Sequence, residues 1–166
     1  MNNEKPEPYK RPSWDEYFTS IADMVGTRAT CDRGRSGCVI VKDKGILTTG
    51  YVGSPPGIAY CDDVGHEKHT EVDMDGKESK HCIRTTHAEQ NAIVQAARTG
   101  IALSGATLYC KMTPCYVCAK LIITAGITKV VAQKDYHSGG RGKEIFKEAM
   151  VEFVLLNNET ETYSNM

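Results

Sequence analysis

The sequence predicts a single α/β domain, a sheet covered by helices, and three observations carry that prediction. In the second half of the chain, short β-rich runs alternate with helical periods, the order expected of βαβ units. Nearer the start, GCVIVK (37–42) and ILTTGY (46–51) flank the turn KDKG, which reads as a hairpin. The 166 residues are 40% hydrophobic and 25% charged, without internal repeat or low-complexity tract. A chain of that size buries roughly 70% of its unfolded surface and needs no covalent staple.

Each element has its own signal. Residues 1–12 hold three prolines and few apolar groups, and we read them as a flexible arm. Ser13 is placed to cap a first helix over about 14–27, where Trp14, Tyr17, Phe18, Ile21, Met24 and Val25 recur at helical spacing. After the hairpin, GSPPG (53–57) is a rigid turn. From Ala59 to about Thr86 the chain is polar, rich in His, Cys, Asp and Glu, and without period. A loop that long implies a function or an internal tether. A helix follows over about 88–98, with Gly100 as its stop. Then come a strand (106–111), a helix opening at Pro114, a strand (127–133), a helix near 143–150 and a strand (152–156). The folded domain spans 13–156, and residues 157–166 read as a flexible tail.

Charge and composition exclude some functions. Twenty basic against 21 acidic residues give a net charge of −1, against the basic face that long nucleic acids require. No apolar run approaches the ~20 residues that span a bilayer, and the N-terminus has no signal-peptide core. These features place the chain in the cytoplasm. In a reducing compartment, seven cysteines are metal ligands or core residues more often than disulfides.

The chemistry sits in two motifs that open the two central helices, His87-Ala88-Glu89 and Pro114-Cys115-Tyr116-Val117-Cys118. Pro114 suits a first helical turn. Cys115 and Cys118, three apart, share a helical face, and helix N-termini favour thiolates. One imidazole and two thiolates hold Zn2+ by three ligands and leave a fourth position open, as in catalytic sites. Glu89 is then placed as the proton shuttle beside that position. A lone CxxC is weak, being core or half a zinc knuckle in many proteins, but H-x-E with P-C-x-x-C is the pattern of zinc deaminases.

Around these motifs, RATCDRGRSGCVIV, GYVGSPPG, CDDVGH, HCIRTTHAEQNAIVQAARTG and GATLYCKMTPCYVCAKLIITAGI resemble the deoxycytidylate deaminases over about Ser13 to Tyr136. The resemblance implies a three-layer cytidine deaminase-like fold, with a central five-stranded mixed sheet and helices on both faces. It implies conversion of dCMP to dUMP for thymidylate synthesis, a homo-hexamer, and regulation by dCTP and dTTP with Mg2+. Deamination of another cytosine nucleotide, deamination of a nucleic-acid base as in tRNA adenosine deaminases, and a non-catalytic zinc-stabilised module are the alternatives. The acidic segment 61–78 opposes the nucleic-acid reading, and Glu89 opposes a purely structural site.

Further residues follow from the same comparison. Cys31, Cys61, His66 and Cys82 form either a second, structural Zn2+ site or a set of buried thiols with a surface histidine; His81 competes with Cys82 as last ligand. Arg28 and Arg33 are candidates for the substrate phosphate, and Tyr136 for stacking on the pyrimidine. Tyr51, Val52, Gly53 and Ala88 are further substrate or effector candidates. Arg98 is a candidate for a subunit or effector boundary, or simply complements its helix dipole. Cys38 and Cys110 are assigned to the core, His69 and His137 to solvent. Val52 departs from the family's Gly-Tyr-Asn-Gly turn, whose Asn is expected to contact sugar or effector. We place residue 52 on the effector or loop side, because the adjoining 53–57 turn suits phosphates or a subunit contact.

Overall fold

The computed structural model describes residues 8–72, 76 and 78–161. Parts of the predicted arm and tail, residues 1–7 and 162–166, lie outside the described residues. In chain order the elements are α1 (Trp14–Gly26), β1 (Gly37–Lys42), β2 (Gly45–Tyr51), α2 (Cys61–Val64), β3 (Lys68–Val72) and β4 (Glu78–Cys82). They continue with α3 (Ala88–Thr99), β5 (Thr107–Met112), α4 (Tyr116–Thr124), β6 (Lys129–Tyr136), α5 (Gly140–Glu148), β7 (Glu152–Leu155) and β8 (Thr160–Glu161).

The main sheet runs β2-β1-β5-β6-β7, with β8 pairing the end of β6. The β1–β2 and β1–β5 pairs are antiparallel, and β5–β6 and β6–β7 are parallel. The antiparallel hairpin closes on Asp43 and Lys44, both at positive φ (50° and 64°), the twist a two-residue hairpin demands. The parallel pairs are joined through α4 and α5, as βαβ units require. Alternation along the strands gives the sheet two apolar faces. Val39, Val41, Tyr109 and Val131 pack with Phe18 and Ala22 of α1. Cys38, Ile40, Leu108, Cys110, Val130 and Ala132 pack with Ala92 of α3, Ile122 of α4 and Phe146 of α5. Helices therefore cover both faces, and Cys38 and Cys110 are core residues.

Helix α1 starts as its sequence signals. Ser13 Oγ accepts the Glu16 backbone N–H (3.2 Å) and Glu16 Oε2 accepts that of Ser13 (2.6 Å), a reciprocal cap. Tyr109 Oη donates to Asp15 Oδ1 at 2.9 Å and ties the helix to the sheet. At the other end, Gly100 terminates α3 in the left-handed region (φ 71°).

Two segments differ from expectation. The stretch 59–86 contains α2 and the β3–β4 hairpin, a separate two-stranded sheet. Its strands, KHTEV and ESKHC, show no apolar alternation, and no described residue of either belongs to the two core clusters. The tail carries β8, where Asp135 pairs Thr160 and Tyr136 pairs Glu161.

Candidate active site

The parallel strands β5 and β6 end where α3 and α4 begin, the place where open α/β sheets receive ligands. His87 is the N-cap of α3, and its backbone N–H donates to Gln90 Oε1 at 3.0 Å. Cys115 is the N-cap of α4, and Cys118 is the third residue of that helix. Pro114 therefore precedes the cap instead of opening the first turn. Two glycines let the backbones close in. A Cβ on Gly50 would sit 2.2 Å from the Ala88 carbonyl oxygen, and one on Gly142 would sit 2.3 Å from that of Pro114. Strand β2 thus meets the start of α3, and α5 meets the start of α4.

His87, Cys115 and Cys118 present one ligand atom each within 4.8 Å of one another. Cys115 Sγ and Cys118 Sγ lie 3.6 and 3.3 Å from His87 Nδ1. Tetrahedral zinc with ordinary bond lengths spaces S and N ligands by about 3.6 Å, so the donor set fits that metal. A hydrogen bond with Cys118, against the opposing effect of burial, pulls the Cys115 thiol down to about 4, and His87 adds to the effect. The same interaction pushes Cys118 upward, with burial second. Glu89, 6% exposed, has its carboxyl pushed up by burial, against the lowering influence of His87. A raised pKa suits a carboxyl that both takes up and gives back a proton.

The second predicted set also converges. Cys31, Cys61, His66 and Cys82 lie within the same 4.8 Å limit, with Cys31 Sγ to His66 Nδ1 at 3.7 Å and Cys61 Sγ to Cys82 Sγ at 3.6 Å. His66 Nε2 lies 2.9 Å from Asp32 Oδ1, the carboxylate support that fixes metal-ligating imidazoles. Burial, followed by the hydrogen bond with Cys82, pushes Cys61 up to about 12. Burial acts upward on Cys82 too, but backbone N–H groups of Arg84 and Glu67 outweigh it and lower that thiol. Cys82, and not His81, completes the set. Arg35, at φ 37°, braces the loop beside it with two hydrogen bonds to Asp62 (2.8 and 3.0 Å).

A single pocket touches both clusters. Its lining includes His87, Ala88, Glu89 and Cys115, together with Cys31, Arg33, His81 and Cys82. Tyr136 lines it, whereas Arg28 and Arg98 are exposed and outside its lining. Val52 is 8% exposed and lines the same pocket as Glu89, which differs from the effector-side expectation. Its backbone N–H donates to Ser36 O at 2.9 Å. Tyr51 is exposed; its carbonyl accepts from Asn91 Nδ2 at 2.8 Å. Gly53 bridges Thr86. His69 is exposed, but His137 is half-buried between Tyr136 and His81, with ring centroids 4.3 and 6.2 Å away. Sequence reasoning passed over Ser36, Thr85, Met112 and Thr113, which also line the pocket. Met112 and Thr113 had a signal, since they lie between a strand and the P-C-x-x-C motif.

The family model for the cytidine and deoxycytidylate deaminase zinc-binding region matches residues 12–134. The deoxycytidylate deaminase of Saccharomyces cerevisiae is 34% identical over 142 residues, covering 86% of this chain and 44% of its own length. The chain thus spans less than half of that relative. The deoxycytidylate deaminase of Mycobacterium phage D29 is 40% identical over 127 residues, covering 75% of this chain and 98% of its own. The structure of dCMP deaminase from cyanophage S-TIM5, in complex with dCMP and dUMP, superposes with a TM-score of 0.70 at 28% identity. That match covers 89% of this chain and 99% of the other.

Proposed function

The chain belongs to the cytidine and deoxycytidylate deaminase zinc-binding family, and from that premise we propose that it hydrolyses dCMP to dUMP and ammonia. The observation that carries the reading is Glu89, a buried carboxyl beside a three-ligand metal cluster in an open pocket. A structural metal site has no use for such a group. Zinc, when bound by His87, Cys115 and Cys118, supplies the Lewis acidity that makes water a nucleophile near neutral pH. Glu89 accepts a proton from the attacking water and delivers it to ring N3. After C4 becomes tetrahedral, Glu89 takes the remaining proton from the new C4 hydroxyl and passes it to the exocyclic nitrogen, which leaves as ammonia as the C4 carbonyl forms. Arg33 is the only Lys or Arg among the described lining residues, which supports it as the phosphate partner, and Tyr136 is the aromatic wall for the base.

Three further assignments belong to the same reading. Cys31, Cys61, His66 and Cys82 hold a second, structural Zn2+. The chain works as a homo-hexamer, for which exposed Val94 on α3 and Val117 and Leu121 on α4 offer apolar surface, and it responds to dCTP and dTTP with Mg2+. Two thiolate clusters suit a reducing cytoplasm; among the described residues, no helix is long and apolar enough to cross a membrane.

Ammonia release and dUMP formation from dCMP test the reaction, against a panel of cytosine and adenine nucleosides and nucleotides. In Glu89→Gln, kcat is expected to fall by at least ~10²-fold, with zinc content and melting temperature retained. Near-normal turnover in that variant would remove Glu89 from the mechanism.

A further inference from the structure

Two parts of the pocket lining are joined by a group that lies outside it. Thr113, in the turn between β5 and α4, and Tyr136, at the end of β6, both line the pocket that contains Glu89. Thr113 is 2% exposed and stands two residues before Cys115, the N-cap of α4 and a member of the cluster at the reacting end. Strands β5 and β6 pair as far as Met112 and Lys134, and past that point the ladder stops. Asp135 continues the connection. Its Oδ1 accepts from Thr113 Oγ1 at 2.8 Å and from the Tyr136 backbone N–H at 2.9 Å, and its Oδ2 accepts from Lys143 Nζ of α5 at 2.8 Å. The turn after β6 closes on the same threonine. Gly139 N–H donates to the Tyr136 carbonyl at 2.8 Å, and a Cβ on Gly139 would meet Thr113 Cγ2 at 2.6 Å. Hydroxyl and methyl of Thr113 are thus both committed to the β6 side. Neither Asp135 nor Lys143 is among the described lining residues.

We propose that Asp135 is a positioning residue for substrate binding, which joins Thr113 to the backbone of Tyr136, with Lys143 as its counterion, and so keeps two parts of the pocket lining at a fixed spacing. The proposal rests on the deaminase reading for what occupies the pocket. Bonds from an ammonium and a hydroxyl to one carboxylate are charge-assisted and short, which makes a stiff junction of three chain segments. A pocket held in its binding arrangement beforehand leaves less ordering to the moment of binding. Substrate and product meet the same lining, so losing the junction weakens both alike.

Asp135→Ala and Lys143→Met test this in the full chain purified without chelator, well below the melting temperature of each variant. An unfolded fraction lowers kcat and calorimetric stoichiometry but leaves KM and Kd untouched, so the affinities separate positioning from stability. KM for dCMP and Kd for dUMP are expected to rise together, roughly threefold to tenfold in Asp135→Ala and less in Lys143→Met. The double variant is expected to match Asp135→Ala, because the lysine acts through the carboxylate. Wild-type KM and Kd in Asp135→Ala would overturn the proposal, and so would a double variant whose loss is the product of the two single losses. If Asp135→Ala does not fold, Lys143→Met decides: a parallel rise in KM and Kd upholds the proposal, and wild-type values overturn it. If wild-type protein neither deaminates dCMP nor binds dUMP, the reaction assigned above fails, and the Thr113 amide decides the positioning. That N–H donates to the Lys134 carbonyl at 3.0 Å and not to Asp135, so its hydrogen exchange relative to that of buried Val131 reads drift of the turn. Faster relative exchange in Asp135→Ala upholds the junction, and an unchanged ratio overturns it.

Discussion

At the scale of single residues, Val52 shows how one side chain sets a selectivity the fold leaves open. A site built to hydrogen-bond a hydroxyl rejects an analogue lacking it by several orders of magnitude, whereas an apolar wall separates substrates by only about 1–3 kcal/mol. Valine supplies an apolar wall at 8% exposure, in the pocket that also contains Glu89. The enzyme is therefore expected to discriminate weakly between CMP and dCMP. Val52→Asn should change the ratio of their kcat/KM values at least severalfold, while concentration curves for dCTP and dTTP keep their wild-type midpoints. Unchanged substrate ratios with shifted effector midpoints would return residue 52 to the regulatory side. The motif residues were legible because metal chemistry restricts ligand type and spacing; His87, Cys115 and Cys118 need two helix N-termini, and both are announced in the sequence. The place of Val52 in the pocket lining was not legible, since it depends on tertiary packing that no local pattern encodes.

At the scale of elements, the β1–β2 hairpin and α3 follow from local signals, two positive-φ turn residues in one case and a capped start with a glycine stop in the other. The β3–β4 hairpin has no such signal. Its strands show no apolar alternation, and Cys82 at its end has its sulfur within 4.8 Å of ligand atoms of Cys31, Cys61 and His66. Strand β8 is two residues long and pairs at a distance, so periodicity is silent there too. What holds the end of β6 in place is a carboxylate. Asp135 accepts from Thr113 Oγ1 (2.8 Å), Lys143 Nζ (2.8 Å) and the Tyr136 backbone N–H (2.9 Å), joining the β5–α4 turn, β6 and α5. Burial alone would raise its pKa, but the hydrogen bonds from Lys143, Thr113 and Tyr136 prevail and hold it below the ordinary value. The folded pKa is thus lower than the unfolded value of about 3.9. The clamp contributes fully above that pH and is lost as pH falls through the folded pKa. Asp135→Asn is expected to lower the melting temperature near pH 7, a cost of about 1–3 kcal/mol, and the gap from wild type should close below about pH 4. A gap of constant size from pH 7 to pH 3 would show that the carboxylate's charge is not what matters.

At the scale of the whole molecule, one pocket lies between two cysteine-rich clusters that solve the same electrostatic problem. In each, one thiol is lowered and another raised, and a bound cation would favour the thiolate form of every sulfur. The cluster on the helix termini sits on a sheet with its own core. The cluster of Cys31, Cys61, His66 and Cys82 instead draws three polar segments together, and it supports the wall that carries Arg33 and His81. Losing a metal at this second cluster should therefore loosen the Arg33 side of the pocket before it affects the chemistry. Protein purified without chelator is expected to contain about two zinc ions per chain. Cys61→Ser should lower that ratio to one, reduce the melting temperature, and raise KM for dCMP more than it lowers kcat. Cys115→Ser should also lose one zinc but abolish turnover, because its cluster adjoins Glu89. Elemental analysis, thermal denaturation and steady-state kinetics on the same preparations read all three quantities. A wild-type ratio of one, unchanged in Cys61→Ser, would leave the four-residue cluster a set of packed thiols and confine the metal to the reacting end.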